Sequence, residues 1–193
     1  MKIIKLLSIG LIIIPTLSIA EDKYELGIPW WGGYGQKTVV NCSNTYFANS
    51  IANYDHGNND QSAYKATCQK MSDFLSGYNV SHTACVTQHV SWWGGAGYKT
   101  WSYCPDGKYA VGFANYDYGN NDQSVNQMRC CGIVDGPAQH SSSYVKEVLW
   151  WGGKGAKTPS DCDPGYFITG IRNIDYGNND QAVVQIKCTM PQP

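Results

Sequence analysis

The sequence predicts an all-β fold with threefold internal repetition, and three observations indicate it. The block Trp-Trp-Gly-Gly occurs three times, beginning at Trp30, Trp92 and Trp150. Apolar and polar residues alternate in short runs between turns rich in glycine and asparagine, and no stretch after residue 20 has a helical period. Six of the eight cysteines stand at matching places in the three copies. A repeated unit of strands and turns, joined by disulfides, accounts for all three observations.

The three repeat units span about residues 28–68, 90–130 and 148–190. Their Trp-Trp-Gly-Gly blocks begin 62 and 58 residues apart, which leaves room for several short strands in each copy. All three copies carry the same motif, whereas an open array needs polar capping repeats at its ends. The sequence therefore predicts a closed structure with approximate threefold symmetry.

Residues 1–20 have the pattern of a secretory signal peptide. Two lysines precede an apolar run from Leu6 to Ile14, and Ser18-Ile19-Ala20 is a small-residue cleavage pattern. The apolar run is too short to span a bilayer, and no second run follows it. We therefore expect residues 21–193 to form one domain without a membrane span. We expect this domain to be secreted and extracellular, or periplasmic in a bacterium.

The charge of the chain argues against nucleic acid as a partner. The full sequence has 14 Lys and Arg side chains against 15 Asp and Glu, and loss of the two signal-peptide lysines leaves a net charge of −3. Electrostatic binding of phosphates needs a clustered positive surface, which this composition does not supply. The same composition argues against adhesion to anionic membranes.

Strand patterns are clearest in the second and third copies. After the turn Pro105-Asp106-Gly107, the residues Tyr109, Val111 and Phe113 alternate with small residues, and a second alternating run ends at Cys188. Such runs predict antiparallel strands with apolar residues directed to a core. The Gly-Asn-Asn-Asp stretches between them are typical of turns, because Gly and Asn tolerate positive φ.

The cysteines predict disulfides, because an exported chain matures in an oxidising compartment. In each copy two cysteines lie 26 residues apart. The most economical pairing is Cys42 with Cys68, Cys104 with Cys130, Cys162 with Cys188 and Cys85 with Cys131. Links between neighbouring repeats would preserve the same symmetry, so the spacing leaves the connectivity open. Zinc is disfavoured, since the chain has no Cys-x-x-Cys pair.

Each Trp-Trp pair offers one ring for the core and one for the surface, because adjacent residues of a strand face opposite sides. An exposed indole can stack on the face of a pyranose ring. The candidate ligand-binding residues of this kind are Trp30, Trp31, Trp92, Trp93, Trp150 and Trp151.

An Asn- and Asp-rich run in each repeat is the strongest polar constellation of the chain. Its carboxylates and amides could hydrogen-bond sugar hydroxyls, whereas the structural alternative is that they lock a turn and satisfy backbone amides. Asn53, Asn115 and Asn173 begin the three runs. The candidate ligand-binding residues are Asp55, Asn58, Asn59, Asp60, Asp117, Asn120, Asn121, Asp122, Asp175, Asn178, Asn179 and Asp180. We expect no cofactor, with calcium as a third interpretation, since oxygen donors surround a glycine.

The repetition also argues against catalysis. A glycosidase needs two carboxylates in different environments, whereas symmetry places the repeated aspartates in similar ones. His56 stands where the other copies have Tyr118 and Tyr176. A lone histidine without a positioned nucleophile forms no catalytic triad, so we expect a protein that is not an enzyme.

The run from Cys104 to Phe113, Cys-Pro-Asp-Gly-Lys-Tyr-Ala-Val-Gly-Phe, resembles the vitelline membrane outer layer protein family. Trp and Gly residues precede this run and Cys130 closes the repeat, as in that family. The resemblance covers roughly residues 28–190 and implies a β-prism, with three Greek-key antiparallel sheets around a pseudo-threefold axis. The chain departs from the family in having Trp-Trp-Gly-Gly for Trp-Gly-x-Trp-Gly and Gly-Asn-Asn-Asp-Gln for Gly-Asp-Asp-Thr. The resemblance implies a structural role in an extracellular egg layer, with binding or processing of amino-sugar oligosaccharides.

The sequence thus leads to three functional expectations, in order of preference. The first is a secreted, non-catalytic, lectin-like protein that recognises extracellular glycans. The second is a structural or protein-interaction component of an extracellular layer or host contact, with an extracellular protein as partner. The third is an enzyme that acts on amino-sugar oligosaccharides. Oligomeric state is not predicted by any of these features.

Overall fold

The computed structural model of the protein describes residues 22–30, 33–57, 61–119, 123–136, 140–177 and 181–192. Within these ranges the chain forms fifteen β-strands and one short 3-10 helix, Met71–Asp73, which confirms the predicted all-β fold. No helix among the described residues is long and apolar enough to cross a membrane. The predicted signal peptide lies outside the described residues.

The strands fall into two length classes. Nine strands of five to eleven residues form the body of the sheets, and six strands of two residues lie between them in the chain. In chain order the strands are β1 (Lys23–Gly27), β2 (Gly35–Gln36), β3 (Val40–Asn41), β4 (Tyr46–Asp55), β5 (Gln61–Lys70), β6 (His82–His89), β7 (Gly97–Tyr98), β8 (Ser102–Tyr103), β9 (Tyr109–Asp117), β10 (Gln123–Ile133), β11 (His140–Glu147), β12 (Gly155–Ala156), β13 (Ser160–Asp161), β14 (Phe167–Asp175) and β15 (Gln181–Pro191).

The long strands pair into three antiparallel sheets, which we call the first, second and third sheets. Their orders are β1-β5-β4, β6-β10-β9 and β11-β15-β14. In each sheet the last strand of a repeat returns to lie beside the long strand that immediately precedes the repeat, β1, β6 or β11, as a Greek key requires. This strand is counted below with its repeat. The fold is therefore a β-prism of three equivalent sheets, one from each repeat.

Each sheet is completed by two short strands from a different repeat. β2 and β3 pair with β9 of the second sheet, β7 and β8 pair with β14 of the third, and β12 and β13 pair with β4 of the first. The exchange runs from repeat one to two, from two to three and from three back to one. The predicted closed structure arises from this cyclic exchange, which also covers one edge of every sheet.

The core is shared by all three sheets. A large cluster of buried apolar residues draws on every repeat. A second, separate cluster contains Phe47, Tyr109 and Phe167, which hold equivalent positions in the three repeats and are fully buried. Their rings contact one another edge to face, with centroids 6.1, 6.2 and 6.3 Å apart. Burial of each such ring contributes about 1.5–3 kcal/mol, and edge-to-face contacts add to it. Packing of the three rings thus stabilises the contacts between the three sheets.

The disulfides have the economical pairing that the spacing suggested. They join Cys42 to Cys68, Cys104 to Cys130, Cys162 to Cys188 and Cys85 to Cys131. Because Cys104 directly follows the exchanged strand β8 and Cys130 lies in β10, this bond ties the second sheet to the third. The other two 26-residue bonds do the same at their junctions. The Cys85–Cys131 bond instead joins neighbouring strands of the second sheet, β6 and β10.

Candidate functional site

The turn after each of β4, β9 and β14 is built on an aspartate. Asp55 Oδ1 accepts a hydrogen bond of 2.8 Å from the backbone N–H of Gly57. The same bond, at 2.9 Å, joins Asp117 to Gly119 and Asp175 to Gly177. The three glycines have φ of 75° or 76°, a left-handed conformation that favours glycine. One oxygen of each candidate carboxylate therefore holds the local turn.

The second oxygen of each aspartate faces a lysine from the neighbouring repeat. Lys99 Nζ lies 3.2 Å from Asp175 Oδ2 and also donates a hydrogen bond to the carbonyl of Gly95. The equivalent ion pairs, at 3.5 Å, are Lys37–Asp117 and Lys157–Asp55. Each of these side chains is at most 13% exposed. The aspartates and lysines thus connect neighbouring repeats.

The aspartate oxygens that calcium would need are already engaged in these turns. Both oxygens of Asp55, Asp117 and Asp175 are engaged by a backbone amide and a lysine, so a cation would have to displace an ammonium group. No group of three or more His, Cys, Asp or Glu side chains is placed to hold a metal within the described ranges. Calcium stays an untested interpretation for the turns themselves.

Asn53, Asn115 and Asn173 are fully buried and join the repeats. Asn115 Nδ2 donates to the carbonyls of Ala63, at 2.7 Å, and Pro29, at 3.1 Å. Equivalent bonds run from Asn53 to Val183 and Leu149, and from Asn173 to Val125 and Ser91. The acceptors belong in every case to another repeat. These amides therefore stabilise the repeat junctions and do not contact solvent.

Several candidate residues lie outside the described residues, so their predicted roles stay predictions. They are Trp31, Asn58, Asn59, Asp60, Asn120, Asn121, Asp122, Asn178, Asn179 and Asp180.

The two tryptophan pairs that are described in full have one buried or half-buried ring and one exposed ring. Trp92 is 7% exposed, whereas Trp93 is 54% exposed. Trp150 is half-buried against apolar residues of the third sheet, and Trp151 is 69% exposed. The expected division between core and surface is confirmed for these two pairs.

The exposed ring of the second repeat belongs to a larger aromatic cluster, the second aromatic site: Tyr34, Trp92, Trp93, Tyr116 and Tyr118. Trp93 and Tyr118 stack with centroids 4.5 Å apart and planes 24° apart. Tyr34 approaches Tyr118 to 5.8 Å from the neighbouring repeat. Tyr34 and Tyr118 are 68% and 43% exposed. The site therefore presents several large rings to solvent at a junction between two repeats.

The equivalent positions of the other repeats are occupied differently. The first aromatic site consists of Trp30, Tyr54 and His56, with the His56 ring 3.8 Å from the Trp30 ring and Lys154 close to Gly57. The third aromatic site consists of Trp150, Trp151 and Tyr176, and the Trp150 and Tyr176 rings are 4.8 Å apart. The three sites share a tryptophan and an adjacent ring, but they differ in charge and in aromatic content.

Two further grooves occupy equivalent places elsewhere on the molecule. One, of about 230 Å³, is lined by Tyr103, Cys104, Asp106, His140, Thr169 and Lys187. The other, of about 310 Å³, is lined by residues that include Asn41, Asn44, His82 and Arg129. We call them the third-sheet groove and the second-sheet groove. Each contains one histidine and one cationic side chain.

Three histidines have a lowered pKa, with burial as the largest cause. At His56, the charge of Asp55 opposes this effect and Lys154 adds to it. At His82, a hydrogen bond to the Tyr46 carbonyl opposes burial. At His140, Asp106 opposes burial and Lys187 adds to it. Each imidazole therefore stays neutral to a lower pH than an ordinary histidine does.

The lowered histidine pKa values predict a loss of stability in mild acid. The unfolded chain takes up protons as the pH falls below about 6.5, whereas the folded chain takes them up only at lower pH. The histidine contribution to the free energy of unfolding is therefore complete above this pH and decreases below it. We expect a lower urea midpoint at about pH 5 than at about pH 7.5. The decrease should be smaller in a His82→Asn, His140→Asn variant, and equal decreases in both proteins would contradict the assignment.

Sequence reasoning missed the aromatic residues Tyr98, Trp101 and Tyr103. The signal that could have found them is a break in the repeat, because the first copy has Gln36, Val39 and Asn41 at these places. These aromatic residues are not repeated in the first copy and therefore belong to no invariant motif.

The molecule is thus a disulfide-stapled β-prism with aromatic sites that expose large rings in the second and third sites. No protein-family model, curated protein or solved structure matches the chain. The arrangement of three curled antiparallel sheets agrees with the fold implied by the resemblance of residues 104–113.

Proposed function

We propose that the protein is a secreted, non-catalytic lectin that binds extracellular glycans at its aromatic sites, and that it is related to the vitelline membrane outer layer family. The observation that carries this proposal is the exposure of Trp93 and Tyr118 as stacked neighbours in the second aromatic site. Sugars offer apolar C–H faces together with hydroxyl groups, and aromatic side chains beside polar ones suit such ligands.

The exposed area of the aromatic rings is large for a protein surface that binds no ligand. Trp93, Trp151 and Tyr34 are each more than half exposed, and the second aromatic site brings several such rings together. Clustered exposed apolar surface on a soluble protein marks an interaction site more often than chance. Three sites on one chain also favour ligands with repeated units, because linked binding events raise avidity.

The polar chemistry of the junctions supports binding over catalysis. The aspartates beside the aromatic sites are held by lysines and by backbone amides, so they have similar environments in all three repeats. Glycoside hydrolysis needs a protonated and an ionised carboxylate at one bond, which such a set does not supply.

The alternative is a structural or protein-interaction role in an extracellular layer. The observation that favours it is that Asn53, Asp55 and their equivalents, together with the repeated lysines and cysteines, stabilise turns or junctions between repeats in the described part of the chain. In that case the exposed rings would contact a protein partner, and no glycan would bind.

Replacement of Trp93 by alanine tests the proposal. We expect the purified protein to bind members of a glycan array, and the variant to bind the same glycans roughly fivefold more weakly, because ring stacking contributes about 1 kcal/mol. Val134→Ser is the matched control, since it removes an exposed apolar side chain elsewhere and should bind as the wild type does. Absence of binding to any arrayed glycan, or equal binding by the Trp93 variant, would reject the proposal.

A further inference from the structure

We infer that the third-sheet groove is an additional sugar subsite that accepts one neutral hexopyranose ring, with Tyr103 and Trp101 as its platform. The inference rests on the proposed function in taking a glycan as the ligand. It differs in place, because the groove shares no lining residue with the three aromatic sites. It differs also in symmetry, because the chain contains this constellation only once among the described residues.

The platform is held in place by its surroundings. The Tyr103 ring lies against the backbone of Gly170, where an added Cβ would come within 2.6 Å of ring atom Cδ1. Trp101 stacks beside Tyr103 with planes 7° apart and centroids 5.5 Å apart. Tyr103 is nevertheless 48% exposed. Two parallel rings, one of them exposed and lining a groove, form the surface on which the C–H face of a pyranose stacks.

The groove also holds polar groups that the fold leaves available. Lys187 Nζ makes a cation–π contact with the Tyr103 ring, 5.2 Å from its centre, and makes no ion pair within the described chain. Asp106 likewise lacks an ion pair with any described residue. His140 Nε2 is buried without a hydrogen-bond partner among the described residues. The Lys187 ammonium group as donor and the Asp106 carboxylate as acceptor match hydroxyl groups, which both donate and accept, whereas the buried His140 Nε2 atom is closed to solvent.

Charge and size select the class of sugar. Asp106 and Lys187 cancel, and burial keeps His140 neutral, so the groove favours a neutral sugar over a sulfated or carboxylated one. Its volume of about 230 Å³ lies below the roughly 300–1,000 Å³ of pockets for drug-sized ligands. One pyranose ring fits this space better than a buried oligosaccharide.

The second-sheet groove shows what the subsite would be without its platform. There Asn41 stands in the place of Tyr103, Asn44 in that of Asp106 and Arg129 in that of Lys187. No aromatic ring replaces Tyr103, so no stacking surface is present. The second-sheet groove is therefore a natural comparison for the proposed subsite, because it occupies the equivalent place and lacks the stacking ring.

The test uses substitutions that the fold already accommodates. Tyr103→Asn and Trp101→Val introduce the residues that the first repeat holds at the equivalent positions, Asn41 and Val39. The probes are methyl β-D-glucopyranoside, methyl β-D-galactopyranoside and methyl α-D-mannopyranoside, titrated into the full mature protein. Binding is followed by the indole N–H signals in ¹H–¹⁵N spectra, in which Trp101→Val assigns the Trp101 signal.

We expect at least one glycoside to shift the Trp101 signal saturably. We expect Tyr103→Asn to weaken this binding at least fivefold. Arg129→Thr, which introduces the residue of the first repeat at that position, should bind as the wild type does. Unchanged affinity in Tyr103→Asn would overturn the subsite, provided that the variant keeps the wild-type thermal midpoint and amide dispersion; a Trp101 signal that no glycoside shifts would overturn it equally.

The two proposals fail in different ways in this experiment. If a glycoside shifts the Trp93 signal and not that of Trp101, the subsite is rejected and the lectin proposal is supported. If only the Trp101 signal shifts, the subsite is supported and the three aromatic sites are rejected as the place of monosaccharide binding. If neither signal shifts and the array shows no binding, both proposals are rejected.

Discussion

Replacement of Asn115 by aspartate is expected to reduce the free energy of unfolding by more than about 3 kcal/mol, because it removes both donors and buries a charge. Asn115 is fully buried, and its Nδ2 group serves two carbonyls of the neighbouring repeat. Aspartate has the same shape but would direct an oxygen at both carbonyls. Urea unfolding followed by circular dichroism measures the effect.

Asn79→Asp is the matched control for this substitution. Asn79 is exposed, and its side-chain oxygen accepts a hydrogen bond from the backbone N–H of Ser81, which a carboxylate can also do. We expect a change within about 0.5 kcal/mol, as for most surface substitutions. Similar urea midpoints for the Asn79 and Asn115 variants would show that the buried amide does not hold the junction.

Loss of the Cys104–Cys130 disulfide, by substitution of both residues with alanine, is expected to lower the free energy of unfolding by roughly 3.5 kcal/mol on the chain-entropy model. The bond also ties the exchanged strand β8 to the second sheet. Its loss should therefore increase hydrogen exchange at the contacts between β8 and β14, including the bond from the N–H of residue 104 to the Thr169 carbonyl.

The Cys85→Ala, Cys131→Ala variant separates these two effects. It opens a loop of 46 residues, so the chain-entropy model gives a comparable loss of about 4 kcal/mol. This bond lies within the second sheet, however, and we expect the β8–β14 amides to keep their protection at denaturant concentrations where both variants are folded. Equal exchange at these amides in the two variants would contradict the role of the repeat disulfides as ties between sheets.

The repeats and the alternating long strands could be predicted because their signals are local or strictly periodic, whereas the cysteine spacing favoured one disulfide pairing and left the connectivity open. Tyr109, Val111 and Phe113 alternate as a strand requires, and equal cysteine spacing favours one pairing. The exchange of β2, β3 and their equivalents could not be predicted, because a two-residue strand carries no periodic pattern. Its partner lies in another repeat, more than 70 residues away in the case of Gly35 and Asp117.

The different roles of the residues within each Asn- and Asp-rich run could also not be predicted from the sequence. Asn53 and Asp55 are two residues apart and looked alike as ligand candidates, yet one joins the repeats and the other holds a turn. The difference depends on bulges in the partner strands. The register of the first sheet shifts between Ala52 and Asn53, opposite Ala63, and the Ala63 carbonyl then bonds to Asn115 of another repeat.

The candidate aromatic sites could be predicted only in part, because some of their rings come from different repeats. The Trp-Trp pairs are visible as a motif. The division between core and surface holds for Trp92–Trp93 and Trp150–Trp151, although these pairs lie between strands and not within one, so alternation along a strand is not its cause. Tyr34 and Tyr118 come from different repeats, and only the strand exchange brings their rings within 5.8 Å. The non-equivalence of the three sites therefore arises both at the junctions, through Tyr34, and within one repeat, where His56 stands in place of Tyr118 and Tyr176.

The cyclic exchange of short strands has a consequence for the order of events during synthesis. The second sheet receives its edge strands from residues already made, and so does the third. The first sheet, although its long strands emerge first, must wait for β12 and β13 at residues 155–161. The N-terminal third of the chain is thus completed last, and a nascent chain that stops before residue 155 would leave the edge of β4 uncovered.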